Sequence, residues 1–432
     1  MFRRILIHSG KHPYEPFDYG SSWSDAMATF GLNTGNLLFA DAVFKYLHVS
    51  PEQELATDRY RFPTSDATMS PELLNEQFDC LVLPAANWLA RYYRPMLPLY
   101  AEKIRRLRIP CVVIGLGAQS GGEDNFDFLR EIRSEAKDFL AAVSDHCASI
   151  SVRGEFTAEC LRRLGFNNVN VTGCPSFYRN LQDFTVTRRP VDRGDFQLAV
   201  NGNKKLLAKM VPELFGRYPA VLFSQGDILR VALDPARAPW HDLQRAVRDG
   251  FSMRLLAEGR VRCFGDITPW IEELRRFPFS LGTRIHGSIL SLLAGTPAVL
   301  ITHDSRTAEM AGFYRIPTVP FRSLSRGFDP YELFVNADYA PMHAGYAARL
   351  ANMAGFLEAN GLDHTLHARN GSTVYDARIR QLRFASSGYA FHSPLFSVGR
   401  GLAALTAGAR RVKRSLRPAV PAGDLPSTSL AA

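Results

Sequence analysis

The stretch FPFSLGTRIHGSILSLLAGTPAVLITHDSRTAE, residues 277–309, decides the fold. A short apolar strand at 279–281 runs into Thr283-Arg284-Ile285-His286-Gly287, and a helix is expected over 288–294. Gly295-Thr296-Pro297 then turns the chain into a second strand at 298–302, which ends in His303-Asp304-Ser305-Arg306. A strand-helix-strand unit of this kind makes the two strands parallel, so both polar clusters leave the same carboxyl edge of one sheet. In open α/β sheets that edge is where ligands bind, and helices starting there present partial positive charge. Two arginines and a histidine converging on it call for an anionic substrate.

Outward from this block the same alternation recurs. In the amino-terminal half, apolar runs at 5–7, 80–83, 111–114, 149–152 and 169–171 are separated by segments of helical period. A helix over 36–47 follows the turn Asn33-Thr34-Gly35, and one over 155–164 ends at Gly165, a left-handed cap. The second half repeats the scheme at 196–200, 220–223, 261–264, 279–281 and 298–301. There Thr268-Pro269 is expected to open a helix running to 276, with Thr268 as cap, Pro269 in its first position and Glu272 and Glu273 facing its positive end. Residues 181–195 carry Arg188-Arg189-Pro190 and Asp192-Arg193-Gly194 without apolar period, as a linker does. The expected fold class is α/β, with two Rossmann-like domains facing across a cleft in the GT-B manner. They span 1–180 and 196–369, and a basic tail occupies 370–432.

Composition fits this reading. A chain of 432 residues is long for one core, and 46% hydrophobic with 22% charged residues is the balance of a soluble globular protein. Six cysteines, at 80, 111, 147, 160, 174 and 263, form no CxxC pair and sit in or beside apolar runs, so they read as reduced core thiols. With a first strand too early for a signal peptide, they place the protein in the cytoplasm. No window reaches 18 uninterrupted apolar residues, which excludes a spanning helix and leaves only peripheral contact with the inner face of a membrane. The net charge of +9 is uneven: residues 371–432 hold nine Arg or Lys against two Asp, leaving +2 elsewhere. A near-neutral body argues against a nucleic-acid surface. Within the tail, Leu402, Leu405, Ala409, Val412 and Leu416 recur at helical spacing among Arg410, Arg411, Lys413, Arg414 and Arg417. Residues 401–417 therefore read either as an anchor on anionic lipid, at about 1 kcal/mol per basic residue, or as a solvated helix. Residues from 418 on are expected to be disordered.

Four segments in order carry a family resemblance: Asn33-Thr34-Gly35-Asn36; Gly115-Leu116-Gly117-Ala118-Gln119; Ser151-Val152-Arg153-Gly154-Glu155-Phe156-Thr157; and the block from Phe264-Gly265-Asp266 through Trp270, Gly282 to Gly287 and Gly295-Thr296-Pro297 to His303-Asp304-Ser305-Arg306-Thr307. Together they resemble the polysaccharide pyruvyl transferase family. The resemblance implies a GT-B-like fold and transfer of an enolpyruvyl unit from phosphoenolpyruvate onto a sugar as a ketal. The acceptor would be a glycan or a lipid-linked glycan precursor. Two departures stand out. Where many members carry a glycine-rich turn this chain has Pro84-Ala85-Ala86-Asn87-Trp88, and where others often have lysine it has Arg306.

The residues themselves fit that chemistry. Phosphoenolpyruvate carries a carboxylate and a phosphate, and arginine forks pair bidentately with both. Arg153, Arg284 and Arg306 lie just beyond apolar strands and are assigned to the donor anions; ion pairs of Arg153 with Glu155 or Glu159, and of Arg306 with Glu309, are the structural alternatives. Ketal formation needs a proton on the donor methylene, and His286 is assigned as that acid. If the backbone stays extended from Arg284 to His286, their side chains share a face and Ile285 points into the core. His303 and Asp304 are placed beside the site. Asn33 and Asn36 either contact substrate or cap a helix, Asp266 either caps a loop or helps deprotonate the acceptor, and Gln119 is set to reach a sugar hydroxyl. Trp88, beside Asn87, either stacks on a sugar face or packs at a helix start. No His and carboxylate set has metal-ligand spacing, and Gly115-x-Gly117 lacks the third glycine of a dinucleotide fingerprint, so neither an obligatory metal nor a nicotinamide cofactor is expected. Two other functions fit the same cleft: a nucleotide-sugar glycosyltransferase of GT-B type, and a non-catalytic glycan-binding or assembly subunit.

Overall fold

Among the described residues twelve short strands, rich in Val, Ile and Leu, form parallel sheets of four, six and two strands in the structure, a computed structural model. It describes residues 2–385 except 20, 22, 32, 121–124, 203, 211, 227–253, 256 and 257. The first sheet contains β1 (Arg4–Ile7), β2 (Glu54–Thr57), β3 (Cys80–Pro84) and β4 (Cys111–Ile114) in the order β2-β1-β3-β4. It continues through β5 (Ile150–Val152), which meets the chain beyond β4 at a parallel Leu116–Val152 bridge, and β6 (Val169–Val171), which pairs with β5. The second sheet contains β7 (Leu198–Asn201), β8 (Ala220–Phe223), β9 (Val261–Arg262), β10 (Phe279–Gly282), β11 (Ala298–Thr302) and β12 (Thr318–Pro320) in the order β12-β11-β10-β7-β8-β9. Every residue of β3, β7, β10 and β11 is buried, which is why these segments read as continuous apolar runs rather than alternating ones.

The strand orders locate the ligand edge. Read from β9, the second sheet runs third, second, first, fourth, fifth, sixth, so its direction of winding reverses between β7 and β10. In the first sheet the reversal lies between β1 and β3. A crevice opens at the carboxyl ends of strands flanking such a reversal. This is the two-domain GT-B-like arrangement expected from the sequence.

The predicted helices over 36–47 and 155–164 occur as Asn36–Leu47 and Glu155–Leu164, the second closed by Gly165 at φ 97°. Others shift. The helix predicted from 288 begins three residues earlier, as Ile285–Leu293, and the one assigned to Thr268-Pro269 is Ile267–Leu274 with Asp266 in the capping position. Glu272 and Glu273 thus lie toward its carboxyl end. Glu273 pairs with Arg262 at 3.4 Å and Arg276 at 2.9 Å instead of complementing the helix start. All six cysteines are free thiols, five of them buried.

The chain returns to the first domain at its end. Residues assigned to the tail from 370 include a helix, Val374–Gln381, that packs on Asn36–Leu47. Buried Asp41 accepts from Arg179 Nε at 2.5 Å and from the Tyr375 hydroxyl at 2.6 Å, while Lys45 Nζ donates to Asp376 at 2.7 Å. Burial lowers the Lys45 pKa to about 8 against the pull of Asp376, so this ammonium depends on its partner. The amphipathic helix expected over 401–417 and the end from 418 lie outside the described residues. No described helix is long and apolar enough to cross a membrane.

Candidate active site

The reversal between β7 and β10 positions Arg284 and His286. Asn201 closes β7: its backbone oxygen accepts from Thr283 N at 2.9 Å and its Oδ1 from Arg284 N at 3.2 Å. Arg284 is the last extended residue, at φ −99° and ψ 114°, and the helix begins at Ile285. His286 therefore sits in a helical first turn, not on a strand face shared with Arg284, and the sequence-based argument from strand alternation fails. Ile285 packs into the core as expected, 3% exposed. The imidazole is 6% exposed, tilted against Phe39 with centroids 5.8 Å apart, and its Nε2 lies 3.7 Å from Cys174 Sγ.

Two glycines let the domains meet here. A Cβ on Gly35, which caps Asn36–Leu47 in the first domain, would lie 2.6 Å from Gln225 Oε1 and 3.0 Å from His286 Cβ. A Cβ on Gly287 would lie 2.5 Å from Gln225 Nε2 and 2.6 Å from the Asn201 side chain. The starts of two helices from opposite domains thus converge around His286; in Asn36–Leu47 the first amides are taken by the turn before it, Asn36 N donating to Asn33 O at 2.9 Å and Leu37 N to Thr34 O at 3.1 Å.

Arg153 follows β5 in the first domain and is 1% exposed. Its Nε donates to Gly115 O at 2.8 Å and its Nη2 to Ala85 O at 2.9 Å, while Nη1 lies 3.4 Å from Asn87 Oδ1. The ion pairs weighed for it do not form: Glu155 faces Arg162 at 3.6 Å, and Glu159 pairs with Arg163 at 2.8 Å. A buried guanidinium held only by neutral acceptors retains its charge and some of its five donors for another anion.

Arg306 comes from the helix Ser305–Tyr314 that follows β11. Asp304 caps this helix through Oδ1, which accepts from Thr307 N at 2.8 Å, and turns Oδ2 toward Arg306 at 3.5 Å and His303 Nε2 at 3.6 Å. Burial alone would raise the Asp304 pKa, but Arg306, Thr307 and His303 together hold it below the usual carboxylate value. Among the described residues Arg306 Nε has no hydrogen-bond partner. Its expected alternative partner, Glu309, is engaged elsewhere, accepting from Thr157 N at 2.6 Å and Thr157 Oγ1 at 3.0 Å.

Electrostatics tie these groups into one site. The His286 pKa is driven well below the usual histidine value, by burial first and then by Arg153, Arg306 and Arg284. Arginines from both domains thus oppose protonation of one imidazole.

The remaining sequence candidates divide. Asn87 and Gln119 belong to the site: Asn87 touches Arg153 and donates from Nδ2 to Gln119 Oε1 at 3.1 Å. Trp88 does not, being 4% exposed and packed between Tyr93, at 5.4 Å and near-parallel, and Tyr100; it is a core aromatic. Asn33 Oδ1 accepts from Gly35 N at 3.0 Å and Asn36 Nδ2 donates to Phe30 O at 3.1 Å, so both side chains shape the turn before the helix. Asp266 lies in a separate cluster, bound by Lys11 Nζ at 2.7 Å and Phe17 N at 3.1 Å. That carboxylate holds the loop after β1 and is not poised as a base. Sequence reasoning missed Asn201, Gln225 and Tyr92. Gln225 is 3% exposed, and among the described residues neither its amide atoms nor the nearby Thr34 Oγ1 has a hydrogen-bond partner. Asn201 and Gln225 carry the signal that identified Arg284 and Arg306, a polar residue ending or following an apolar strand.

Glu309 also clamps the domains, since Thr157 is the third residue of Glu155–Leu164 and receives its cap from across the cleft. Burial raises the Glu309 pKa from 4.5 to about 7, against the Thr157 bonds and Arg153. The folded protein then binds more protons than the unfolded chain between those values, so this stabilisation is complete below pH 4.5 and is lost as pH rises to about 7. Relative to Glu309→Gln, wild-type unfolding free energy is expected to fall by up to about 3 kcal/mol across that window. Denaturant titrations of both proteins at several pH values check this; a difference that stays flat would mean the carboxyl is ionised throughout.

Residues 33–305 match the family model described as polysaccharide pyruvyl transferase. Among solved structures, HepE of Anabaena in complex with UDP-glucose aligns at 9% identity over 95% of this chain and 100% of its own, with a TM-score of 0.40. The UDP-GlcNAc 2-epimerase of Methanocaldococcus jannaschii aligns at 10% identity over 87% and 98%, with a TM-score of 0.39. MurG of Acinetobacter baumannii aligns at 11% over 88% and 100%, with a TM-score of 0.32. Likenesses this loose say nothing of ligand or reaction. No curated protein matches the chain.

Proposed function

The chain belongs to the polysaccharide pyruvyl transferase family, and from that premise we propose that it moves the enolpyruvyl unit of phosphoenolpyruvate onto two hydroxyls of a glycan or lipid-linked glycan, closing a pyruvate ketal and releasing phosphate. One observation carries the reading: Arg153 is 1% exposed and, among the described residues, has no carboxylate partner, its nitrogens meeting Gly115 O, Ala85 O and Asn87 Oδ1. Burying such a cation costs several kcal/mol unless an anion compensates it. A small donor with two anionic groups would do so.

The histidine supplies the proton. Donor carboxylate and phosphate oppose the field of the arginines and raise the His286 pKa, so the ring gains its proton as the donor binds. With Nε2 facing Cys174, Nδ1 is the nitrogen left for the substrate. Transfer of that proton to the donor methylene makes a methyl group and an oxocarbenium centre at the adjacent carbon. One sugar hydroxyl adds there and loses its proton. Phosphate then departs with the C–O bonding pair, and the second hydroxyl closes the ketal and loses the second proton. Of the two hydroxyl protons, one replaces that given by His286 and the other leaves with phosphate, so atoms and charge balance.

Titration calorimetry with phosphoenolpyruvate tests the donor without knowledge of the acceptor. Saturable binding is expected, weakened about 10- to 100-fold in Arg306→Ala, as the loss of one charged hydrogen-bonding group implies. No heat from phosphoenolpyruvate together with binding of a UDP- or GDP-sugar would replace this reading with glycosyl transfer.

A further inference from the structure

A pyranose has an apolar C–H face and a rim of hydroxyls, so a protein that positions one commonly offers an exposed aromatic ring beside fixed polar groups. The aromatic that the sequence nominated, Trp88, is buried. Four residues on, Tyr92 is 66% exposed, far more than the other exposed large apolar side chains.

Its position is set by its neighbours. Tyr92 lies on the short helical turn Arg91–Met96, whose Arg91 and Arg94 pair with Glu131 at 2.7 Å and Glu135 at 2.8 Å on the helix Phe128–Ser144. Its neighbour Tyr93 turns inward to stack on Trp88. The Tyr92 hydroxyl donates to Asn87 O at 3.1 Å, so the polar end of the ring is tethered while the ring stays open. Asn87 is the hub: its side chain touches Arg153 and donates to the Oε1 of half-buried Gln119, whose amide also carries Nε2 as a donor. The Tyr92 phenol also has its pKa raised, by desolvation of its hydroxyl first, with Arg306 and Arg153 pulling it down. Both donor-side arginines therefore act on this hydroxyl, although one belongs to each domain.

We propose that Tyr92 and Gln119 form the acceptor subsite: a pyranose ring stacks on the open face of Tyr92, a hydroxyl accepts from Gln119 Nε2, and the reacting hydroxyl pair points toward the anion site of Arg153 and Arg306. The ring supplies area at little entropic cost because its tether and the two ion pairs already hold it. The assignment rests on the pyruvyl-transfer reading of this cleft, and names the side from which the sugar enters.

Saturation-transfer NMR of the full chain tests it with methyl β-D-galactopyranoside, methyl β-D-glucopyranoside and methyl α-D-mannopyranoside, each with a free primary and nearby secondary hydroxyl, in the presence of phosphoenolpyruvate. At least one is expected to show transfer concentrated on the C–H protons of one ring face. In Tyr92→Ala its apparent affinity falls by about tenfold, the scale of one aromatic contact, and in Tyr92→Phe it stays within about twofold because the stacking ring remains. Unchanged transfer in Tyr92→Ala, or no transfer from any pyranoside to the wild type, overturns the subsite. So does a Phe variant as weak as the Ala variant, which would make Tyr92 a prop for Asn87. Calorimetry with phosphoenolpyruvate on the same samples separates the two ideas: retained donor binding with no pyranoside contact rejects only the subsite, whereas absent donor binding in the wild type rejects the reaction.

Discussion

Replacing His286 by asparagine is expected to lower kcat for ketal formation by about 10² to 10⁴, the usual worth of a positioned general acid, while binding of phosphoenolpyruvate survives. The separation follows from the site. The charges proposed to hold the donor belong to Arg153, Arg284 and Arg306, whereas burial and those cations push the His286 pKa well below its usual value in the free protein. Asparagine keeps a polar side chain of similar reach against Gly35 and Gln225 but has no proton to give the methylene carbon. Phosphate release with an acceptor extract reads kcat, and calorimetry reads the donor. A variant within about fivefold of wild type in kcat would remove His286 from the proton-transfer step, since that is below the range of general acid catalysis.

The same geometry fixes a sign for proton linkage. Burial and three cations hold the free His286 pKa well below its usual value, and a bound dianion or trianion reverses part of that field. Donor binding near neutral pH should therefore take up protons, approaching one per site at most, and affinity should weaken as pH rises through the raised pKa of the complex. Calorimetric heats in buffers of different ionisation enthalpy measure the uptake. Protonation of the donor's own phosphate is common to wild type and His286→Asn, so the difference between them isolates the imidazole.

How much of this was legible in the sequence depended on whether a local signal stated the answer. Strand identity was legible because strands buried on both faces are mostly apolar, and β3, β7, β10 and β11, buried along their whole length, carry polar side chains only at Ser280, Asn201 and Thr302. Arg153, Arg284 and Arg306 were legible because each is a polar residue directly beyond such a run. The start of the helix at Ile285 was not. Thr283, Ile285 and Gly287 are poor helix formers, and what favours a helical Gly287 is tertiary: Gln225 and Asn201 occupy the space a Cβ would need. Trp88 and Tyr92 show the same limit at the surface. Both are aromatics in one polar-flanked segment, and which one turns outward is decided by Tyr93, Tyr100 and the ion pairs to Glu131 and Glu135, the glutamates lying 40 and 41 positions from their arginines. Asp266 had two readings in the sequence, a loop cap or a base, and the choice between them was made by Lys11, 255 positions away, which binds its carboxylate.

Arg153→Ala should be the most damaging single change, because this side chain is a structural brace and, in the proposed function, a donor-binding charge as well. Two backbone carbonyls, Gly115 O and Ala85 O, take their hydrogen bonds from it in a buried setting. Leaving both without donors costs about 1–3 kcal/mol each, so unfolding free energy should drop by about 2–6 kcal/mol. Phosphoenolpyruvate binding should fall by about 10³ or more, since the charged contact is lost and the Asn87 hub beside it loosens. The lysine variant distinguishes charge from shape. An ammonium is a point charge and cannot span Gly115 O, Ala85 O and an incoming anion at once, so Arg153→Lys should fold more stably than Arg153→Ala yet bind the donor at least about tenfold more weakly than wild type. Urea unfolding paired with calorimetry on the three proteins reads both effects. If the alanine variant bound the donor as well as wild type, the buried guanidinium would be a brace alone, and the anion would have to be held by Arg284 and Arg306 from the second domain without any contribution from the first.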